Sequence, residues 1–177
     1  MRIRVDSIGC RLNISEVEEM ARCFAGGGHR LVGPGELADL YVFNSCAVTH
    51  VASRKSRQII RQMRRANPQA AVVATGCYAQ TEPHALAKIE GLDCIIGQTG
   101  KQGLAEMVAR GDLTKCPQPV IFQTGLGAAP AFTAAKPVPS AHRTRPFLKI
   151  QDGCDAFCTY CIVPYARGRS RSMELSA

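Results

Sequence analysis

AVVATGC, residues 71–77, is a short apolar run that ends in a glycine and a cysteine. An apolar run of this length, rich in valine and closed by a turn residue, predicts a buried β-strand. Residues 40–46, LYVFNSC, and residues 2–10, RIRVDSIGC, repeat this arrangement nearer the start of the chain. The sequence therefore predicts three strands that each lead directly to a cysteine.

Helical patterns alternate with these strands along the first two-thirds of the chain. Ser15 and Glu18 have the spacing of a capping box, which predicts that the first helix begins at Ser15. The predicted strands are Arg2–Ser7, Leu40–Phe43, Ala71–Ala74 and Cys94–Ile96, and the predicted helices are Ser15–Ala25, Ser53–Ala66, Pro83–Ile89 and Gly103–Arg110. This alternation predicts an α/β fold, in which a parallel sheet carries helices on both faces.

Such a topology brings distant cysteines to one place. Right-handed crossovers put the C-terminal ends of the strands at one edge of the sheet, and open sheets of this class bind ligands at that edge. We therefore expect Cys10, Cys46 and Cys77 to meet there. The alternative is that each is simply a small buried residue at a strand end. The remaining cysteines join no local motif and are expected to be structural: Cys23, Cys94 and Cys116.

Composition narrows the class of protein. The chain has 177 residues, a net charge of +8 and nine cysteines. It has neither the long apolar stretch of a membrane span nor the apolar core of a signal peptide, so we expect a cytoplasmic protein without membrane contact. Because cytoplasmic thiols stay reduced, the cysteines indicate metal ligands rather than disulfides.

Basic side chains are concentrated in one predicted helix. Its cations are Arg54, Lys55, Arg57, Arg61, Arg64 and Arg65. They could contact the phosphates of a nucleic acid, or they could simply form a solvated helix face. Arg167, Arg169 and Arg171 leave a similar choice between a ligand or RNA contact and an exposed strand edge.

A second cysteine set lies in residues 154–161, CDAFCTYC, after the strand-like segment Phe147–Gln151. Its three thiols, Cys154, Cys158 and Cys161, are close enough in sequence to face one centre. Iron–sulfur clusters are usually held by four thiolates, so three leave one iron open. A structural zinc site is the alternative, but it normally recruits a fourth Cys or His nearby.

The spacing of this second set resembles the radical-SAM superfamily, and the resemblance continues through residues 162–168, IVPYARG. It implies that Cys154, Cys158 and Cys161 hold a [4Fe-4S] cluster whose open iron binds S-adenosylmethionine. Tyr160, the aromatic residue before the last cysteine, is implied to contact that cofactor. Reduction of the cluster would cleave S-adenosylmethionine to a 5′-deoxyadenosyl radical.

The first cysteine set resembles the radical-SAM methylthiotransferase family in three segments. These are residues 9–13 (GCRLN), 44–49 (NSCAVT) and 75–80 (TGCYAQ). The resemblance implies that Cys10, Cys46 and Cys77 hold an auxiliary [4Fe-4S] cluster. It also implies residues 1–120 as an N-terminal methylthiotransferase domain, 121–142 as a linker, and 143–177 as the truncated start of a radical-SAM partial (β/α) barrel.

The implied reaction adds a methylthio group to tRNA, with a flavodoxin or ferredoxin as electron donor. The short segments most resemble the branch that modifies threonylcarbamoyladenosine beside the anticodon. Isopentenyladenosine in tRNA and an aspartate of a ribosomal protein are the alternatives within the family. Outside it, the chain could be an iron–sulfur electron-transfer protein or an RNA-binding module with structural clusters. Because a barrel needs more strands than this chain offers, we expect the 177 residues alone to be inactive.

Overall fold

The computed structural model describes residues 1–123, 125–126, 147 and 149–173, and its centre is a six-stranded parallel sheet. The strands are β1 Arg2–Ser7, β2 Arg30–Leu31, β3 Leu40–Ser45, β4 Ala71–Gly76, β5 Cys94–Ile96 and β6 Val120–Phe122, in the order β2-β1-β3-β4-β5-β6. The helices are α1 Arg11–Gly26, α2 His50–Ala66, α3 Cys77–Thr81, α4 Pro83–Ala87 and α5 Leu104–Arg110, with a 3-10 turn at Thr99–Gly103 before α5. The predicted α/β fold is confirmed.

Both faces of the sheet are covered, as alternation of side chains along the central strands requires. In β3, Leu40 and Val42 face the core that includes Phe24 of α1. Tyr41 of the same strand faces the opposite core, which includes Ile60 of α2. Every residue of β3 and β4 is buried, which explains why these strands have continuous apolar runs.

Two helices begin earlier than the sequence predicts. Helix α1 begins at Arg11, and its N-cap is Cys10, whose side chain makes no capping hydrogen bond. The prediction that a capping box begins the first helix at Ser15 was therefore wrong, because Ser15 lies within the helix. Helix α2 begins at His50, and the hydroxyl of Thr49 accepts a hydrogen bond from the backbone N–H of Ala52.

The second part of the described chain is small. It contains β7 Gln151–Asp152 and β8 Arg171–Ser172, which pair antiparallel, and the short helix α6 Val163–Arg167. The strand predicted at Phe147–Gln151 thus begins only at its last residue. Most of the predicted linker lies outside the described residues. No helix in the part that the structure describes is long and apolar enough to cross a membrane.

Candidate functional site

The first three cysteines follow three neighbouring strands. Cys77 comes directly after β4 and Cys46 directly after β3, and the residues before them, Gly76 and Ser45, are register partners. Cys10 follows β1, the other neighbour of β3. The backbone therefore brings the trio to one edge of the sheet, as the strand pattern predicted.

Two glycines allow the cysteine loops to approach closely. Gly9, beside Cys10, has φ +113°, and a Cβ on it would lie 2.7 Å from Sγ of Cys46. Gly76, beside Cys77, has φ +95°, and a Cβ there would overlap Oδ1 of Asn44. Because φ in this range strains any side chain, glycine is required at both positions.

The three thiols differ in exposure. Cys10 is exposed, whereas Cys46 and Cys77 are buried. Burial raises the pKa of Cys77, although the nearby cations Arg167 and Lys101 oppose that rise. The amide Nε2 of Gln98 lies 3.5 Å from Sγ of Cys77 and donates to it.

The cysteine thiols are suitable donors for a metal cluster, but the side chains are not arranged around a common centre. Thiolates at adjacent strand ends suit an iron–sulfur cluster. Among the described residues, however, no three His, Cys, Asp or Glu side chains are grouped so that they could hold a metal ion. The trio is thus supported by where the backbone places it, and not by a converged set of sulfur atoms.

The second cysteine set forms a turn closed by backbone hydrogen bonds. The N–H of Cys154 donates to the carbonyl of Gly168 at 3.1 Å, and the N–H of Cys161 donates to the carbonyl of Cys158 at 2.9 Å. Gly153 has φ +79°, and a Cβ there would overlap the carbonyl of Arg169. These contacts fold residues 154–161 back against Gly168 and Arg169, just before β8, and so keep the three cysteines in one loop.

Aromatic side chains of this loop face different surroundings. The ring of Phe157 packs edge-on against Tyr165, with centroids 5.9 Å apart. The guanidinium of Arg169 lies 4.6 Å above the same ring, at a distance suited to a cation–π contact. Tyr160, the predicted cofactor contact, is 90% exposed, so its ring is accessible to a ligand.

Sequence reasoning missed a cluster of five charged side chains, of which three are buried and two are half-buried. The carboxylate of Glu16 accepts hydrogen bonds from Lys101 at 2.8 Å, Arg167 at 2.8 Å and Lys149 at 3.3 Å. Asp152 accepts from Arg167 at 3.0 Å and from Lys149 at 2.7 Å. We call Glu16, Lys101, Lys149, Asp152 and Arg167 the charge cluster. Its residues come from distant parts of the chain, so no local pattern could have revealed it.

Electrostatics within the charge cluster favour the ionised forms of Glu16, Asp152 and Arg167, whereas burial lowers the pKa of Lys101. Burial alone would raise the pKa of Glu16, but Lys101 and Arg167 hold it well below its usual range. Burial likewise opposes ionisation of Arg167, and Glu16 more than compensates, so the pKa of this guanidinium is raised. Arg167 is only 3% exposed. The alternative that Arg167 forms an exposed strand edge was therefore wrong, because the residue is buried at the end of α6.

Comparison with known proteins gives consistent matches over almost the full chain. Residues 2–97 match the family model described as Uncharacterized protein family UPF0004. The chain is 37% identical to a protein of Aquifex aeolicus named threonylcarbamoyladenosine tRNA methylthiotransferase MtaB, with 99% of this chain and 42% of the relative covered. It is 35% identical to the Bacillus subtilis protein of that name, with 95% and 37% covered.

A relative with another name matches at a similar identity. The chain is 36% identical to the tRNA-2-methylthio-N(6)-dimethylallyladenosine synthase of Novosphingobium aromaticivorans, with 98% of this chain and 38% of the relative covered. The chain thus spans about two-fifths of the length of these curated relatives.

Proposed function

The chain belongs to the UPF0004 family, and from this premise we propose that it serves in a tRNA methylthiotransferase. The relatives reported above are named for methylthio modification of tRNA. The observation that carries the proposal is the placement of Cys10, Cys46 and Cys77 after three adjacent parallel strands. The parallel strand order explains why Cys10 and Cys77, which are more than sixty residues apart in the sequence, lie at the same edge of the sheet as Cys46.

The two cysteine sets have separate roles in this proposal. Cys10, Cys46 and Cys77 hold an auxiliary [4Fe-4S] cluster, and the loop with Cys154, Cys158 and Cys161 holds a second one. The second cluster with S-adenosylmethionine supplies a 5′-deoxyadenosyl radical when bound. Three thiolates for each cluster would leave one iron open in both, and Tyr160, which is exposed on the same loop, would contact the cofactor.

The chain's own residues orient these ligands. Gly9 and Gly76 let the strand-end loops approach each other, and Gly153 lets the second loop fold back on residue 169. Burial of Cys46 and Cys77 limits access of water and oxygen to that side of the site. Such positioning and solvent exclusion is what a protein contributes to cofactor chemistry.

Helix α2 supports a nucleic-acid partner. It contains no acidic residue, and its exposed side chains include Arg54, Lys55, Arg61 and Arg65. The helix begins four residues after Cys46, so its basic surface starts beside the cysteine edge. The cations in the first half of the helix, Arg54 and Lys55, are in a position that suits the phosphates of an RNA whose base enters the site.

Threonylcarbamoyladenosine is the proposed target, because two of the relatives reported are named for it. Dimethylallyladenosine, the isopentenyl-modified nucleoside, is the alternative, since a relative of similar identity is named for it. Reduction of the clusters would come from a flavodoxin or ferredoxin. A tRNA substrate would place the protein in the cytoplasm.

Iron and sulfide analysis after anaerobic reconstitution tests the ligand assignment. We expect the parent chain to bind close to eight irons, as two four-iron clusters require. Cys10→Ala and Cys158→Ala should each lose about half of that iron, and Cys23→Ala should lose none, because Cys23 is an exposed thiol of α1 that belongs to neither set. Full iron in Cys10→Ala would contradict the auxiliary site.

Reductive cleavage of S-adenosylmethionine separates this function from simple electron transfer. Although this chain alone is not expected to complete methylthio transfer, the reconstituted chain reduced with dithionite should release 5′-deoxyadenosine and methionine from S-adenosylmethionine. Cys158→Ala should release neither, while its affinity for tRNA is retained. An electron-transfer protein would bind both clusters and release neither product, and that result would overturn the proposal.

A further inference from the structure

The charge cluster lies where charges are expensive to keep. The side chains of Glu16, Lys101 and Arg167 are 5%, 8% and 4% exposed. A buried ion pair is often no more stabilising than an apolar replacement, because its desolvation cost offsets the attraction. Stability of the core alone therefore gives little reason for five charged groups at this position, and a role in fixing one geometry is the better explanation.

The cluster joins the two parts of the chain that carry cysteines. Glu16 belongs to α1, which begins directly after Cys10. Asp152 and Arg167 flank the second cysteine loop, two residues before Cys154 and six residues after Cys161. After the loop, Arg167 bonds Glu16 directly, and before the loop Lys149 bonds both Asp152 and Glu16. Both sides of the loop are thereby tied to α1 by charge-assisted hydrogen bonds, which are among the stronger and more directional contacts in proteins.

Asn13 extends the connection to the first cysteine set. Nη2 of Arg167 donates to Oδ1 of Asn13 at 2.7 Å. Nδ2 of Asn13 donates to the carbonyl of Ile8 at 2.8 Å and to the carbonyl of Ser45 at 3.1 Å. These carbonyls lie two residues before Cys10 and one residue before Cys46. A continuous path of hydrogen bonds thus runs from the second loop to two loops of the first set.

We propose that Glu16 is a positioning residue that, through Arg167, fixes the second cysteine loop at a set distance and angle from the first cysteine set. The inference rests on the proposed function, because a fixed position of one cysteine set relative to the other matters only if both sets bind clusters. The guanidinium is suited to this task, since its planar fork contacts Glu16, Asp152 and Asn13 at once. A lysine offers no such fork.

Amide hydrogen exchange tests this role without any cluster. Glu16→Gln keeps the size of the side chain and removes its charge. We expect it to speed exchange at the described amides of residues 149–173 by about tenfold, since a charged hydrogen bond holds this segment in place. Exchange in β3 and β4 should stay as in the parent. Glu106→Gln, an exposed glutamate of α5, is the matched control and should change neither region.

Arg167→Lys provides a second variant that retains the charge and removes the fork. Arg167 lies in α6, outside the six-stranded sheet, so we expect Arg167→Lys to leave that sheet folded even if Glu16→Gln does not fold. It should speed exchange in residues 149–173 in the same way. Unchanged exchange in both variants, or a uniform increase that includes β3 and β4, would overturn the positioning role.

A spectroscopic readout follows in the reconstituted, reduced protein. Two paramagnetic clusters held at a short fixed distance broaden each other's electron paramagnetic resonance signals. The parent and Glu106→Gln should show this broadening, and Glu16→Gln should lose it while it keeps its iron. Broadening that persists in Glu16→Gln would contradict the inference. Absence of iron in every variant would instead refute the proposed function, and the exchange pattern would still decide the role of Glu16.

Discussion

Gly9 allows the loops of Cys10 and Cys46 to approach closely because it has no Cβ atom. The backbone there has φ +113°, and an added Cβ would meet both Cβ and Sγ of Cys46 at 2.7 Å. We predict that Gly9→Ala lowers the free energy of unfolding by about 2 kcal/mol or more, through strain and overlap combined. Urea unfolding followed by circular dichroism would measure this change.

Gly26 provides the matched control for that substitution. It is the last residue of α1, and a Cβ on it would have nothing within 4 Å. Gly26→Ala should therefore be neutral or stabilise the chain by up to about 1 kcal/mol, because alanine favours the helix. Equal effects of the two substitutions would mean that Gly9 does not limit the approach of the two loops.

Cys94 illustrates a thiol that the fold makes unreactive. Burial, together with the nearby Cys116 and Asp93, raises its pKa to about 12. Since the thiolate is the reactive form, we predict that iodoacetamide at pH 8 modifies the exposed Cys23 and leaves Cys94 unmodified in the native chain. Peptide mapping by mass spectrometry would show this, and both residues should react after denaturation. Native labelling of Cys94 at the rate of Cys23 would contradict the structure.

Strands and helices differ in how well the sequence predicted them. β3 and β4 were expected because continuous apolar runs of valine and other buried residues are a local signal. β2 and β6, with two and three residues, were not expected, since they exist only by pairing with β1 and β5. The start of α1 was misplaced because its first turn is held by tertiary contacts of Asn13, which no capping pattern records.

The candidate site shows the same division. Placement of the first cysteine set could be predicted, because residues that directly follow parallel strands all lie at the C-terminal edge of the sheet. The contact between Glu16 and Arg167 could not, because 151 residues separate them. Both residues have ordinary sequence neighbours, and only the packing of α6 near α1 makes them partners.

Helix α2 gives a testable direction to nucleic-acid binding. It leaves the cysteine edge after β3 and ends before β4 begins, so it runs away from that edge. Lys55 lies in its first half and Arg65 in its last turn, and both are exposed. If the RNA base enters at the cysteine edge, phosphates should contact Lys55 and not Arg65.

We therefore predict that Lys55→Glu weakens tRNA binding several-fold and that Arg65→Glu has little effect. Titrations at increasing salt should also show a shallower dependence for Lys55→Glu, by about one unit of slope for each lost phosphate contact. Equal loss in the two variants would indicate general attraction to a basic protein, without a defined contact at the cysteine edge.

Two sets of contacts connect the segments that carry the two cysteine sets: the charge cluster and the packing of α6 against α3. Together we call these contacts the joint. Helix α3 begins at Cys77, and α6 ends at Arg167, which influences the pKa of that thiol. The charge cluster adds ionised groups to the uncharged contact of α6 with α3, whereas the cores on the two faces of the sheet are apolar. A contact of this kind responds to pH in a range where apolar packing does not.

Acid should weaken the joint through Glu16. Lys101, Arg167 and Lys149 face its carboxylate, together with the amide of Asn44. Against the effect of burial, these cations hold the folded-state pKa of Glu16 well below its ordinary value of 4.5. The stabilisation is therefore complete above the ordinary pKa, which applies to the unfolded chain, and is lost as pH falls through the folded-state pKa.

Comparison of Glu16→Gln with the parent across pH measures this contribution. At pH 7 we predict that opening of residues 149–173 is easier in the variant by about 1.4 kcal/mol, the equivalent of tenfold faster exchange, because the buried cations are left without their partner. Below the ordinary glutamate pKa the difference should narrow, since the parent then protonates the same side chain. Glu106→Gln should match the parent at every pH, because Glu106 is exposed on α5. A difference between Glu16→Gln and the parent that stays constant down to pH 3 would show that the loss came from packing, without a contribution from the charge of Glu16.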